Sequence, residues 1–201
     1  MTVTIDYYLS PQSPWTYLGH ARFVQLARDA VATVRVLPAD YGQVFAVSGG
    51  LPLPKRAPQR QAYRLVELRR FSEHLGLPMN VQPRYFPVAG DPSAKLLVAV
   101  EQADGAEAAL DLAGRIFAAC WVQERDIADA STLAQLLAEA GLPAARLAAA
   151  DEAPALERYA ANTAQAIAAG VFGAPSYVVD GEIFWGQDRL DFVERRLAQG
   201  R

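Results

Sequence analysis

Strand-like sequence is confined to the two ends of this 201-residue chain, and the alanine-rich stretches between them lack the period-two pattern of a β-strand. Near the N-terminus, residues 3–9 alternate apolar and polar at first and are rich in β-branched and aromatic side chains, which predicts a strand. Ser10-Pro11-Gln12-Ser13-Pro14 is a turn cluster. Beyond it Trp15, Leu18, Phe23, Leu26 and Ala27 recur at roughly helical spacing to about Arg28. Serine followed by proline suits a helix start: Ser13 serves as cap, and Pro14 takes the first helical position, where its missing N–H has no partner to lose. Residues 33–37 predict a second strand, so the chain opens strand–helix–strand. At the other end Ser176–Val179 reads as a strand, Asp180-Gly181 as a tight hairpin turn and residues 183–185 as the return strand, with a closing helix over residues 187–198.

The middle changes character. Residues 42–59 read as loop, punctuated by Gly49-Gly50 and by Pro52, Pro54 and Pro58. A basic amphipathic helix is predicted from near Gln59 to just before Gly76-Leu77-Pro78, followed by a proline-rich loop over residues 80–88. Helices are predicted over residues 93–102, 106–124, 131–140 and 154–169, because Ala and Leu favour helix, and Gly141-Leu142-Pro143 is a stop signal. Strand–helix–strand at one end and hairpin–helix at the other, with helices between, points to an α/β fold of thioredoxin-like type split by a large α-helical insertion. The predicted core is residues 1–40 and 165–201, and the insertion is residues 41–164.

Composition narrows the function. The single cysteine, Cys120, permits no intrachain disulfide and fits a reducing compartment; lying beside Trp121 in an apolar helix, it reads as a buried, inert thiol. A net charge of −3 and a pI near 5.4 carry no nucleic-acid footprint. The N-terminus lacks the basic region of a secretory signal, and the apolar runs break before the roughly 18–20 residues needed to cross a bilayer. A cytoplasmic protein without nucleic-acid or membrane partners is the expectation. His20 and His74, the only histidines, stand in no metal-ligand spacing, so no metal is expected. Nucleophile-elbow, Walker and dinucleotide-binding motifs are absent from the sequence.

Four places could carry chemistry. Ser13 sits where a helix offers unpaired N–H groups and the positive end of its dipole; a thiolate is stabilised there, and a hydroxyl there can donate to a thiolate brought by a ligand, although capping alone also explains a serine. In Gly170-Val171-Phe172-Gly173-Ala174-Pro175, a cis Ala174–Pro175 bond would free backbone groups to pair with an extended peptide, whereas a trans proline would merely start the strand. In Gly186-Gln187-Asp188-Arg189, Gln187 and Asp188 could meet a ligand's amine or carboxylate, or simply cap the last helix. Lys55, Arg56, Arg60, Arg64, Arg69 and Arg70 form a basic stretch whose only acidic member is Glu67. Arg60 and Arg64 lie one turn apart and could draw in an anionic substrate, or form a solvated face.

Ser13-Pro14-Trp15-Thr16-Tyr17-Leu18-Gly19, after an aromatic-rich strand, resembles the Ser-Pro-aromatic-Ser-Tyr-Leu motif of 2-hydroxychromene-2-carboxylate isomerases, shared by kappa-class glutathione transferases. Both belong to the DsbA-like branch of the thioredoxin superfamily. Residues 170–194 resemble the same families' closing segment, Gly-x-x-Gly-x-Pro-x-x-Val and then Gly-x-Asp-Arg-Leu. The stretch from Tyr63 to Phe71, Phe86-Pro87, the stretch from Trp121 to Ile127, and Asn162-Thr163 also look like family positions.

The resemblance implies that Ser13 and Thr16 stand at the two positions of a Cys-x-x-Cys pair, which excludes dithiol exchange. It implies that glutathione supplies the thiol as cofactor and that Ser13 is the catalytic residue, steadying the thiolate. Ala174 and Pro175 would pair with the glutathione cysteine, Gln187 and Asp188 would hold its γ-glutamyl end, and Arg60 would meet its glycine carboxylate. The family's asparagine ahead of this basic residue has no counterpart in Gly49-Gly50-Leu51-Pro52-Leu53. The implied reaction is reversible thiol addition to a small aromatic carboxylate, ring opening, rotation and thiol loss, giving trans-o-hydroxybenzylidenepyruvate, a step in naphthalene catabolism. The substrate carboxylate would need a cation from Lys55, Arg56 or Arg64, and Trp15 is a further candidate substrate contact. The resemblance also implies a homodimer. A kappa-like transferase or peroxidase, and a non-catalytic thioredoxin-fold binding module, remain the alternatives.

Overall fold

The two ends of the chain meet in one sheet. The computed structural model describes residues 3–199, so the outermost positions of the expected core segments, 1–2 and 200–201, lie outside the described residues. Strands β1 (Thr4–Leu9), β2 (Thr33–Pro38), β3 (Ser176–Val179) and β4 (Glu182–Trp185) lie in the order β2-β1-β3-β4. β1 runs parallel to β2, with Tyr7 opposite Val36, and antiparallel to β3, with Ile5 opposite Val179 and Tyr8 opposite Ser176. β4 closes the hairpin on β3. The parallel crossover between β1 and β2 is helix α1 (Pro14–Asp29).

Alternate residues of β1 serve opposite faces, as a pleated strand requires. Ile5, Tyr7 and Leu9 enter the larger core with Phe23, Val36, Tyr177 and Val179, while Tyr8 enters a smaller one with Leu37, Val44, Ala166 and Val178. In the larger core the Tyr7 ring lies 4.4 Å from Phe23 and 5.4 Å from Tyr177, centroid to centroid. Each such fully buried aromatic contributes roughly 1.5–3 kcal/mol by leaving water. The remaining helices are α2 (Tyr41–Ser48), α3 (Pro58–Leu75), α4 (Asp91–Asp104), α5 (Ala106–Trp121), α6 (Ala130–Glu139), α7 (Ala145–Ala149), α8 (Ala153–Ala168) and α9 (Leu190–Gln199). α4 and α5 bury Leu96, Leu97, Val100, Leu112, Ile116 and Phe117 against the larger core. Among the described residues no helix is long and apolar enough to cross a membrane.

Three local readings need correction. Residues 41–48 are helical rather than loop: Asp40 caps α2 by accepting from the Gly42 N–H, and Tyr41 and Val44 are buried, so capping and burial outweigh the glycine. α5 ends at Trp121 instead of residue 124, where Glu124 takes a positive φ of 53°. Residues 187–189 form a 3₁₀ turn before α9, because Gly186 (φ 106°) redirects the chain.

α3 lies at the margin of this core, where Arg64 packs over Phe86 and Trp121. Its only buried residues are Arg64 and Leu68, and it meets α1 through an edge-on contact between Phe71 and Trp15, 5.9 Å between centroids. From there α3 roofs a cleft above the N-terminus of α1.

Candidate active site

Ser13 adopts an extended conformation (φ −79°, ψ 121°) and caps α1: its Oγ accepts from the Thr16 N–H at 3.2 Å. The same hydroxyl donates across the fold to the Ala174 carbonyl, at a long 3.4 Å. The first turn of α1 contains no acidic side chain, so the positive helix end at Ser13 is left for an incoming anion. Thr16 is fully buried, and its hydroxyl has no hydrogen-bond partner among the described residues.

Ala174–Pro175 is cis. The Pro175 carbonyl accepts from the Gly186 N–H at 2.9 Å, extending the β3–β4 ladder by one rung. No hydrogen bond uses the Ala174 N–H among the described residues. Beside Ser13 the chain therefore presents an open backbone donor and a lightly held carbonyl, the pair an extended peptide needs in order to add itself as a strand. Gln187 is buried: its Oε1 accepts from Arg22 Nη1 at 3.4 Å, while its Nε2 has no partner among the described residues. Gly19 makes this docking possible, because a Cβ there would stand 2.8 Å from the Gln187 Cβ. Asp188 is exposed and paired with Arg189 at 2.7 Å.

The cleft has two connected lobes, of about 480 and 760 Å³, that share Trp15, Arg56, Arg60, Arg64, Ala174 and Trp185. The smaller adds Tyr63, Phe71, Gln187, Asp188 and Arg189. The larger adds Ser13, Tyr41, Phe45, the loop through Pro52 and Pro54, Phe86-Pro87 and Phe172. Of the aromatic lining, sequence reasoning named Trp15 as a substrate contact and missed the rest. Phe45 fell in the stretch read as loop and Tyr41 stood just ahead of it, although Asp40 followed by an apolar residue was a usable helix signal. Phe172 lies within the 170–175 motif and Trp185 just before Gly186; their rings are tilted at 59° with centroids 4.8 Å apart, and Trp185 covers Gly173, where a Cβ would approach its Nε1 to 2.3 Å. The Phe86–Pro87 bond is also cis, which was not foreseen.

The basic stretch divides. Arg64 is buried, its guanidinium lying over Phe86 (5.1 Å) and Trp121 (5.9 Å), with Nη2 unpartnered among the described residues. Burial first, and then neighbouring Arg56, draw its pKa down to about 10. Arg56 is half-buried and donates from Nε to the Leu51 carbonyl at 2.8 Å; burial and Arg60 lower its pKa too. Arg60 is exposed at the rim shared by the lobes. Lys55, expected near the substrate, is exposed and lines neither lobe: it ends the 3₁₀ turn Leu53–Lys55, ahead of the extended residue Arg56 that does line both. Cys120 is buried away from the cleft, its pKa pushed up to about 12 by desolvation.

Residues 4–198 match the family model of the DSBA-like thioredoxin domain. The chain is 31% identical over 199 residues to 2-hydroxychromene-2-carboxylate isomerase of Sphingobium xenophagum, covering 98% of this chain and 99% of that one. The chain belongs to the 2-hydroxychromene-2-carboxylate isomerase family of DSBA-like thioredoxin proteins. It is 29% identical over 200 residues to the isomerase of that name from Pseudomonas putida, across 97% of this chain and 94% of the relative. A solved structure of 2-hydroxychromene-2-carboxylate isomerase superposes with a TM-score of 0.79 at 26% identity, covering 98% of this chain and 95% of that one. The protein is thus a DSBA-like isomerase whose Ser13 and cis Ala174–Pro175 face one another at a single cleft.

Proposed function

We propose that this isomerase acts on a 2-hydroxychromene-2-carboxylate-type substrate and depends on glutathione. The observation that carries the proposal is the pairing of the Ser13 hydroxyl, at an uncompensated helix N-terminus, with the open Ala174 backbone across a 3.4 Å contact. The residues present fit an extended γ-glutamyl tripeptide. The Ala174 N–H is unused, the buried Gln187 amide lacks one partner, Asp188 offers a carboxylate to an ammonium, and Arg60 offers a cation to a carboxylate. Glutathione, when bound, supplies the thiol that adds reversibly to the substrate.

The protein's own contribution is electrostatic and positional. Ser13 Oγ already accepts from the Thr16 N–H, which leaves its proton free to leave the weakly held Ala174 carbonyl for an anion in the larger lobe. The helix end adds a second stabilisation without any reorganisation. Trp15, Phe45, Phe86 and Phe172 give an aromatic ring flat surfaces to lie between, and Arg56 and Arg64 stand ready for its carboxylate. Without a thiol at position 13 or 16 the site holds no disulfide of its own to exchange. Orientation of two bound partners then lowers the barrier.

The test is conversion of 2-hydroxychromene-2-carboxylate by the purified protein with and without glutathione, followed by chromatography of both compounds. Product should form only when glutathione is added, with glutathione recovered unchanged. Consumption of glutathione would instead indicate transfer, and conversion unaffected by its omission would overturn the dependence.

A further inference from the structure

Three guanidiniums line the larger lobe, one more than the glycine carboxylate of glutathione and a single substrate carboxylate would pair. Arg60 and Arg64 lie about one turn apart on α3, and Arg56 stands on the extended segment that leads into it. All three line the larger lobe, and no Asp, Glu or Lys lines it with them. Among the described residues none of the three forms an ion pair. Of the smaller lobe's carboxylates, Glu67 is engaged with Arg70, and Asp188, beside Arg189, is the one proposed to meet the tripeptide's ammonium.

Arg64 is the decisive member. It is only 9% exposed, its guanidinium lies against Phe86 and Trp121, and Nη2 has no partner. A buried charge without a counter-charge is unfavourable, and it is relieved by an anion arriving with the ligand. Burial lowers its pKa to about 10, which still leaves it charged at neutral pH.

We infer that the larger lobe takes an aromatic dianion, a substrate bearing a second acidic group besides its carboxylate, and that Arg64 selects for that group. This rests on the proposed function in one respect: with the glycine carboxylate of glutathione on Arg60, Arg56 and Arg64 are left facing the substrate. The aromatic walls hold the ring, and the two remaining guanidiniums meet acids at separate points, Arg56 before α3 and Arg64 on it. A charge-assisted contact to a planar guanidinium is both strong and directional, so it discriminates on the number of acids and on their placement.

The experiment compares benzene-1,4-dicarboxylate with benzoate, each titrated calorimetrically into the full-length protein with and without S-methylglutathione. The dicarboxylate should bind about tenfold tighter or better, as one additional charge-assisted contact implies. In Arg64→Leu the two ligands should come within about twofold of each other. Arg64→Gln, which keeps the polarity and bulk, should behave the same way and serves if the leucine variant does not fold by circular dichroism. Equal affinities in the native protein, or a dicarboxylate preference that survives both substitutions, would overturn the assignment. S-methylglutathione binding is a separate titration. If it alone fails, the glutathione dependence falls, while the dianion preference is still decided by its own ratio.

Discussion

The wall of the cleft built by the sheet core and the wall built by α3 are opposite in character. On the core side the working groups are short or belong to the backbone: the Ser13 hydroxyl, the Ala174 amide and carbonyl, the Gln187 amide. They are held by α1, β3 and the turn at Gly186, elements packed on a buried aromatic cluster. On the α3 side the working groups are long cations on a helix that buries only two of its own residues, with no carboxylate to neutralise them. The contrast indicates a division of labour. A reacting thiolate needs donors fixed to a fraction of an ångström, which backbone and short side chains on a rigid core supply. Recognition of a substrate's acids needs charge and reach, which arginines on a less constrained helix supply.

Three substitutions probe the two walls. The largest effect belongs to Ser13→Ala, which removes one donor from the proposed reacting centre and should lower kcat by roughly a hundredfold or more. Its stability should fall by only about 1 kcal/mol, the value of a lost cap. Turnover and melting temperature measured on one preparation separate the roles; a stability loss with unchanged turnover per folded molecule would reduce Ser13 to a cap.

A second probe tests the rigidity of the core wall from behind. His20, on α1, is buried, with Nε2–H donating to the Leu110 carbonyl (3.0 Å) and Nδ1 therefore accepting from the Tyr7 hydroxyl (3.1 Å). Desolvation lowers its pKa from 6.5 to about 4. Between these values the unfolded chain binds a proton that the folded chain refuses, so stability is full above about pH 6.5 and falls as pH drops towards 4, by up to about 3 kcal/mol. Urea midpoints at neutral pH and at about pH 4.5 should show this loss, and His20→Gln should flatten it.

The smallest effect has the opposite sign. On the α3 wall Arg64→Leu removes a buried, unpaired cation and should leave stability unchanged or raise it by about 1 kcal/mol while weakening substrate binding. A clear loss of stability in the same urea assay would mean that Arg64 is compensated after all, and the contrast between the walls would fail.

Much of the core wall was legible in the residues. Ser13-Pro14 announced the start of α1, residues 3–9 and Ser176–Val179 announced strands, and the Ser-Pro and Gly-x-x-Gly-x-Pro segments marked the two ends that meet. α3 was visible as a basic amphipathic stretch and runs over Pro58–Leu75. Less was legible where local preferences compete. Gly42 and the nearby glycine pair hid α2, whose helix is secured by the burial of Tyr41 and Val44. The alanine-rich pattern ran on past Trp121, where α5 stops and the backbone turns at Glu124.

Caps, turns and periodicity are properties of a few neighbouring residues, and for that reason the sequence alone determined where most helices and strands lie, that the site has no thiol, and that cations cluster near residue 60. Desolvation and juxtaposition depend on residues far apart in the chain. Only the tertiary structure decided that β1 pairs with β3, so that Ser13 reaches Ala174, and that Arg64 rather than Lys55 loses its water. Arg64 does so because Phe86 and Trp121, from two other segments, close over its guanidinium, whereas Lys55 stays exposed in its turn.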